Sequence, residues 1–477
     1  MKLKYIFVLL SFFLAVWHMK AQTLEEASEL VTGGKYKEAK EILSNLSAGN
    51  PNLKTNATYL YLSGVCAYES KDYEEAQTLL NQAKSKGNGA AELYLAKLAF
   101  LDYDFDKAGE HLEAFAKYRK KINRPESEDI DILERSIEIA ENALDRVEKI
   151  VVVDSITILR SNFLNAYQLP YSAGRIISGK EIAGKTGVKN AETGFLTEDG
   201  DYLVFAMPDS IGNYKLVESD SLIDQGWQKP RDLSDNLRVG NNTFYPYLSG
   251  DGRTLYFSTD GDESIGGLDI FLAQRSAVSG DFLQPLNIGM PFNSPFDDYM
   301  LVLDEENGIG WWATDRNRLK DKVTIYVYLL NDLRSNYDPD EENLMTFAKL
   351  SDYKATWGTE DSKRRKEYTV LKQNGPERKE NNENKFFFPM NDGKQYREYA
   401  DFKSSESKKL ILQYTNLQKY LEENENKLES LRRRYSVNKA DNVKEEIRGL
   451  EKKLESAREE LKDLQNQIYK NESSAKK

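Results

Sequence analysis

Three segments near the N-terminus share one pattern, and this internal repeat constrains the fold more than any other feature of the chain. Each segment has an aromatic residue three positions before an alanine, and the units lie 37 and 32 residues apart, at Tyr36-Ala39, Tyr73-Ala76 and Phe105-Ala108. A second small residue precedes each alanine by twelve positions, at Ala27, Gly64 and Ala96. Small residues at this spacing let two helices approach closely, and the period is typical of stacked helical hairpins.

The pattern resembles the tetratricopeptide repeat over roughly residues 23–120. The resemblance implies an α-solenoid over residues 22–122, whose inner groove binds peptides or partner proteins. The first helix of each pair is expected to line that groove, at Tyr59, Ser63, Tyr94 and Lys97. The alternative is a structural spacer that docks on the next domain. Residues 123–149 then predict one closing helix that shields the last repeat, because apolar residues recur there at helical spacing.

After residue 150 the apolar pattern changes from helical spacing to alternation, and a second internal repeat begins. An Asp-Gly turn followed by an alternating strand occupies residues 199–205 and recurs at 251–257. A weaker third copy at 307–312 has Asn-Gly in place of Asp-Gly. Turns and alternating strands that return every 52–55 residues are typical of blades of four short strands.

Residues 244–257 and their neighbours resemble the TolB-like, WD-type propeller repeats of bacterial envelope proteins. The resemblance implies a β-propeller-like domain over residues 150–400. A propeller normally needs at least four blades to close. Either residues 150–198 and 345–400 supply the blades beyond the three clear copies, or the sheet array is incomplete.

Two short segments are candidates for the additional strands, at residues 343–349 and 386–388. Between them, the stretch near 361–384 is highly charged, with few apolar residues to bury. We expect this stretch to be a mobile insertion in the β-rich domain, because it offers little surface for packing.

The last segment, residues 401–477, carries two heptad series. Their seam positions recur at alternating steps of four and three, from Leu410 to Tyr435 and from Val443 to Ile468, with mostly charged residues between them. Each series predicts a long helix, and turn-favouring residues between the two predict an antiparallel coiled-coil hairpin. Asn424 lies in the first seam and is expected to fix its register. The alternative is a parallel homodimer that self-associates through residues 402–471.

The sequence offers few reactive side chains. One cysteine, Cys66, excludes intramolecular disulfides, thiolate zinc sites and iron–sulfur clusters. Residues 1–21 combine a basic start, a short apolar run and a small residue at the end, and so predict a cleaved signal peptide. Its removal takes one of the two histidines and leaves His111 alone. This excludes a Ser–His triad and a multi-histidine metal centre, and we predict no catalytic residue, no metal and no cofactor.

Two local features would suit other chemistry. Acidic residues crowd positions 260–263 and 269, as a Ca²⁺ site would require, but their spacing matches no complete calcium loop and favours a soluble turn. Trp311 and Trp312 would suit sugar stacking if they were exposed. A glycan-binding or glycan-cleaving propeller is therefore the alternative function, and a carboxylate pair about 5–10 Å apart in an open cleft would mark it.

The chain combines 66 basic and 78 acidic residues, and its net charge of −12 argues against general nucleic-acid binding. The combination of repeats resembles Bacteroidetes envelope proteins, some of them parts of the type IX secretion and gliding apparatus, without their common OmpA-like domain. The resemblance implies a non-enzymatic, periplasmic scaffold at the outer membrane, peripheral rather than integral. Its partners would be envelope or outer-membrane proteins, and its role outer-membrane protein assembly, secretion or transport. It also implies O-glycosylation of Asp-Ser-aliphatic triplets, at Ser155, Ser210 and Ser221.

Overall fold

The computed structural model describes residues 23–124, 127–222, 226–374, 388–390, 395–396, 401–438 and 441–475. The predicted signal peptide, residues 1–21, lies outside the described residues. The chain divides into two compact units, the repeat-and-sheet unit of residues 1–378 and the hairpin unit of residues 379–477. Among the described residues, no helix is both long enough and apolar enough to cross a membrane.

The repeat-and-sheet unit begins with paired helices followed by a single one. Their bounds are α1 (Leu24–Thr32), α2 (Tyr36–Gly49), α3 (Ala57–Glu69), α4 (Tyr73–Ser85), α5 (Ala91–Leu101), α6 (Phe105–Lys121) and α7 (Glu128–Leu144). The second helix of each pair begins at the repeated aromatic residue. Asp72 and Asp104 precede two of these helices, and each carboxylate accepts a hydrogen bond from a backbone N–H of the first turn.

The small residues of the repeat lie where the paired helices touch. Ala27, Ala39 and Ala76 are fully buried. At Gly64 a Cβ atom would lie only 2.8 Å from Cγ of Leu80, so a side chain there would push α3 away from α4. Close helix packing therefore explains the small-residue positions, and α7 closes the array with an apolar stripe that includes Ile130 and Ile137.

Three antiparallel sheets follow in the described residues. The first sheet contains β2 (Arg175–Ile177), β3 (Gly194–Leu196), β4 (Tyr202–Pro208), β5 (Tyr214–Leu222), β6 (Gly226–Trp227) and β7 (Arg231–Asp232). The second contains β8 (Thr243–Leu248), β9 (Thr254–Thr259), β10 (Asp269–Gln274) and β11 (Leu286–Asn287). The third contains β12 (Asp298–Asp304), β13 (Ile309–Thr314), β14 (Lys322–Leu329) and, as its outer strand, β1 (Val151–Leu159).

The sequence repeat extends to the backbone conformation. Gly200, Gly252 and Gly308 all take positive φ angles of 65–72°, so the Asn-Gly turn matches the two Asp-Gly turns. Strands β8 and β12 carry a bulge at the same place, where Tyr245 and Met300 have φ angles of 53° and 56°. Strand β8 also packs across the first sheet, and β12 packs across the second sheet.

A connecting segment, and not a further sheet, fills the space between the first and third sheets. In this segment Phe163 packs edge to face on Tyr299 of β12, and the Tyr167 hydroxyl donates to the Met300 carbonyl at 2.8 Å. Farther along, Gly174 lies so close to Phe195 of β3 that a Cβ would come within 2.6 Å of its ring. The described residues therefore give three stacked sheets and no closed ring.

Two expectations for the segment after the sheets are wrong. Residues 343–349 were expected to be a strand, but the chain forms α9 there (Leu344–Lys349). The charged stretch begins with α10 (Ser362–Asn374), which is not a mobile insertion, because its Tyr368 hydroxyl donates to Asp154 and its Tyr368 and Leu371 pack on the sheet core. Its second part, residues 375–384, lies outside the described residues. A short helix, α8 (Gly179–Thr186), joins β2 to β3.

The hairpin unit begins at residue 379, earlier than the expected boundary at 401. It contains the short paired strands β15 (Phe388–Pro389) and β16 (Gln395–Tyr396), and the long helices α11 (Ser405–Asn438) and α12 (Asp441–Ala475). Residues 386–388 were expected to add a strand to the β-rich domain, but Phe388 pairs with Tyr396 in the hairpin unit and packs on the long helices. Residues 386 and 387 lie outside the described residues. Seam residues of α11 and α12 pack against each other, as the hairpin requires. Asn424, however, donates to the Tyr420 carbonyl of its own helix at 2.8 Å.

Candidate protein-interaction site

The helical repeats bring four tyrosines into a continuous series of ring contacts. The ring centroids of Tyr61 and Tyr94 lie 6.3 Å apart, those of Tyr94 and Tyr68 5.3 Å, and those of Tyr68 and Tyr73 5.6 Å. Each pair meets edge to face, an arrangement that fixes the orientation of both rings. All four side chains are half-buried. We call these residues, Tyr61, Tyr68, Tyr73 and Tyr94, the tyrosine face.

The hydroxyls of the tyrosine face remain protonated donors at neutral pH. Burial is the largest cause of a raised pKa at all four, and it raises the pKa of Tyr61 to about 12. Within the described part of the chain none of these hydroxyls has a hydrogen-bond partner, and none is among the fully buried polar atoms that lack one. The four groups are therefore free to bond a molecule that lies on this face.

Cations border the tyrosine face, and each is paired with a carboxylate. The Lys97 ammonium lies 5.1 Å from the Tyr94 ring centroid and 3.1 Å from Oδ1 of Asp129 on α7. The Arg318 guanidinium lies 5.3 Å from the Tyr73 ring centroid and donates to Asp102 at 2.7 Å. The cations thus pack on the rings while their charge is balanced within the protein.

The four predicted groove residues fall into two groups. Tyr94 and Lys97 lie together in or beside the tyrosine face. Tyr59 packs instead against the first repeat, in an apolar cluster with Leu62 and Cys66, and the Ser63 hydroxyl is buried without a hydrogen-bond partner. Tyr61, Tyr68 and Tyr73 were missed, although Tyr61 and Tyr68 stand seven residues apart on α3 and so share one side of that helix.

The helical repeats dock on the sheets through the turns between their helices. Arg318, in the connection from β13 to β14, donates to the Leu101 carbonyl at 2.7 Å and to Asp102. A single apolar cluster runs from α5, α6 and α7 to Phe296 and Phe347 on the sheet side. This contact joins residues more than 200 positions apart, and no sequence pattern signals it. Tyr68 and Tyr73 pack against this cluster, and Arg318 lies over the Tyr73 ring, so docking covers one end of the tyrosine face. Tyr61 and Tyr94 pack against the apolar cluster of the repeats.

The single cysteine is buried in the repeat core. Cys66 is 1% exposed, and burial raises the pKa of its thiol from 9.0 to about 11. We expect iodoacetamide at pH 8 to alkylate the native protein at least about 100-fold more slowly than the guanidinium-unfolded chain, since the raised pKa alone lowers the thiolate fraction by that factor. Timed mass spectrometry measures both rates, with glutathione as the reagent control. Equal rates in the two states would contradict the buried position.

His111 serves the helix packing. Its Nδ1 lies 2.6 Å from the buried Glu92 carboxylate, which also accepts from Lys84 at 3.0 Å. Both partners lie in the repeats, so the one imidazole of the described residues belongs to a structural polar cluster.

The acidic candidates for a metal site have separate partners. Asp260 accepts from Asn242, Asp262 pairs with Arg135 of α7 at 2.8 Å, and Asp269 accepts from backbone N–H groups. Among the described residues, no cluster of three or more metal-ligating side chains occurs. Asp260 and Asp269 thus stabilise loops through hydrogen bonds, and Asp262 links the second sheet to α7.

In the described residues, the tryptophans and carboxylates that would bind or cleave a glycan do not have the exposure or the pKa that this function needs. Trp311 and Trp312 are both buried, so neither ring is free to stack on a sugar. The polar cleft beside β5, about 480 Å³ including its opening to solvent, contains Asp232 and Tyr214. Its Asp232 is paired with Lys215, which lowers the pKa of that carboxyl, whereas a general acid needs a raised pKa.

The three predicted glycosylation serines lie in different surroundings. Ser210 is exposed in the turn between β4 and β5, where the Asp209 carboxylate accepts from two backbone N–H groups. Ser155 and Ser221 are half-buried in β1 and β5. Ser210 is thus the most accessible of the three hydroxyl positions.

Comparison with known proteins supports the prediction of tetratricopeptide repeats in the N-terminal helices. Residues 30–99 match the family model of the tetratricopeptide repeat. The helices within these residues are tetratricopeptide-type repeats. These residues include all of the tyrosine face. No curated protein and no solved structure matches the chain.

Proposed function

We propose that this protein is a non-enzymatic scaffold that binds other proteins on the tyrosine face of its tetratricopeptide repeats. The observation that carries the proposal is the set of four half-buried tyrosines with unengaged hydroxyls on a repeat family that generally mediates protein contacts. Tyrosine is enriched at binding hot spots, because one rigid ring supplies both apolar area and a hydrogen bond. Large apolar area at low entropic cost favours binding.

We further propose that the scaffold works in the periplasm, peripherally attached to the outer membrane, in outer-membrane protein assembly, secretion or transport. The support is the apolar N-terminal stretch of residues 1–21 and the resemblance of the two repeat types to envelope proteins. Envelope or outer-membrane proteins are the proposed partners, and the net charge of −12 argues against nucleic acid.

Site-directed photo-cross-linking tests the binding face. A photoreactive phenylalanine at Tyr61 is expected to cross-link specific envelope proteins in living cells, because that ring lies at the border of the tyrosine face. The matched control places the same group at Tyr420, an exposed tyrosine of the hairpin unit. Products from position 61 alone, identified by mass spectrometry, are the expected result. Cross-linking that is equal at both positions, or to cytosolic proteins only, contradicts the proposal.

Fractionation of the same cells tests the location. The mature chain is expected to begin at Gln22, to sediment with outer membranes and to leave them in urea or alkaline carbonate. A full-length chain in the cytosol would contradict the location without bearing on the cross-linking result. Self-association through residues 402–471 is a separate proposal, which sedimentation of the full chain at several concentrations tests.

A further inference from the structure

The tyrosine face has a chemical character that restricts its partner. Its four hydroxyls donate hydrogen bonds, and within the described residues none has an internal acceptor. Its rings contact one another at successive centroid distances of 5.3–6.3 Å, and each side chain is partly exposed. A partner that suits this surface needs free acceptors and apolar surface along its length.

The charge around the face favours an uncharged partner. Lys97 is balanced by Asp129, Arg318 by Asp102, and Lys71 in the turn before Tyr73 by Asp315 at 3.5 Å. Glu69 also lies near Lys97, and burial makes its charged form less favourable. A strongly acidic or basic segment would find no free countercharge here and would lose its hydration.

We propose that the tyrosine face binds an uncharged, proline-rich segment in the polyproline II conformation. This inference rests on the proposed function, since it specifies the partner of the same face. Polyproline II has no internal hydrogen bonds, so its carbonyls accept from hydroxyl donors, and its rings pack against aromatic rings. Its stiffness also reduces the entropy lost on binding.

The dimensions agree with this partner. Polyproline II rises about 3.1 Å per residue, so each step of 5.3–6.3 Å between tyrosine rings matches about two residues of the ligand. The three steps between the four rings together correspond to about six residues of such a ligand. An α-helical ligand rises only about 1.5 Å per residue and has its carbonyls already bonded, so the tyrosine hydroxyls would find few acceptors on it.

Peptide binding to the full chain tests the inference. One fluorescein-labelled peptide repeats Pro-Pro-Ala four times, and its control repeats Gly-Ser-Ala to the same length. Fluorescence anisotropy is expected to show at least about tenfold tighter binding of the proline peptide, because the control must lose far more conformational entropy. Equal affinity for the two peptides, or no binding of the proline peptide, would overturn the inference.

Single-atom variants separate recognition from folding. Tyr61→Phe and Tyr94→Phe retain the rings and remove one donor each, so each is expected to weaken binding of the proline peptide about three- to tenfold. Tyr420→Phe in the hairpin unit is the matched control and leaves the affinity unchanged. Melting temperatures show whether the variants remain folded. Unchanged affinity in the folded Phe variants would overturn the inference.

The outcomes also distinguish the inference from the proposed function. If the proline peptide fails but position 61 still cross-links specific envelope proteins, the face binds proteins of another kind and only the inference falls. If both experiments fail, the proposed function falls with it. If the peptide binds and the cross-linked proteins contain proline-rich segments at the cross-linked site, both stand.

Discussion

Replacing Arg316 by methionine is expected to lower the free energy of unfolding of the repeat-and-sheet unit by about 3–5 kcal/mol. Arg316 pairs with Asp298 at 2.8 Å, and the two side chains are 2% and 0% exposed. The guanidinium also donates to Thr314 and to the Phe292 carbonyl. Methionine fills much of the same volume but leaves a carboxylate buried without its cation, which costs far more than the lost packing.

Guanidinium unfolding followed by tryptophan fluorescence measures the effect. The hairpin unit contains no tryptophan, so the signal reports the repeat-and-sheet unit. Arg253→Met, at an exposed arginine, is the control and is expected to change stability by less than about 0.5 kcal/mol. Adding Asp298→Asn to Arg316→Met is expected to restore part of the loss, because it removes the stranded charge. A loss below about 1 kcal/mol for Arg316→Met would contradict the buried pair.

The repeated parts of this fold were predictable because each repeat is a local pattern. The aromatic-to-alanine spacing located the start of α2, α4 and α6, and the turn-strand repeat located three sheets. The packing of the connecting segment between the first and third sheets was not predictable, because it depends on single contacts such as that of Phe163 with Tyr299, which are far apart in sequence. The prediction of a strand at residues 343–349 was wrong for a related reason. A short apolar segment can form a helix or a strand, and its tertiary packing decides between the two.

The site was predictable only in part. Tyr94 and Lys97 were placed in the groove, but Tyr59 was chosen in place of Tyr61. Two residues along a helix rotate the side chain by about 200°, so Tyr59 points to the first repeat while Tyr61 contacts Tyr94. The prediction of helix α3 was correct. Which side of α3 faces the second repeat could not be predicted, because that depends on how the neighbouring helices pack. The docking by Arg318 had no sequence signal at all, since its partners belong to another repeat system.

The second large effect concerns pH and Asp269. This carboxyl is fully buried, and burial together with the nearby charge of Asp298 raises its pKa from 3.8 to about 8. Hydrogen bonds from the N–H groups of Ile265 and Gly266 and from Asn287 oppose the rise but do not cancel it. The native state therefore holds a proton at Asp269 that the unfolded chain has already released above about pH 4.

The repeat-and-sheet unit is accordingly expected to lose stability as pH rises from 5 to 7. While the native state binds one proton more than the unfolded state, the free energy of unfolding falls by about 1.4 kcal/mol per pH unit. Asp298, whose pKa burial raises to about 6, contributes in the same direction only up to that pH. Between pH 6 and 7 Asp298 is already mostly ionised in the native state, so Asp269 supplies the larger part of the slope there.

Asp269→Asn tests this assignment, because asparagine cannot titrate. The amide NH₂ of asparagine would face the backbone N–H donors of Ile265 and Gly266, so the absolute stability of the variant is lower. The slope of stability between pH 6 and 7 is expected to fall to less than half of the native value, because only the smaller contribution of Asp298 remains. Asp281→Asn, in an exposed turn, is the control and retains the slope of the native protein. Unfolding curves at pH 5, 6 and 7, followed by tryptophan fluorescence, give the three slopes. If Asp269→Asn retains the native slope, the proton is held elsewhere, and Asp269 is ionised in its buried position.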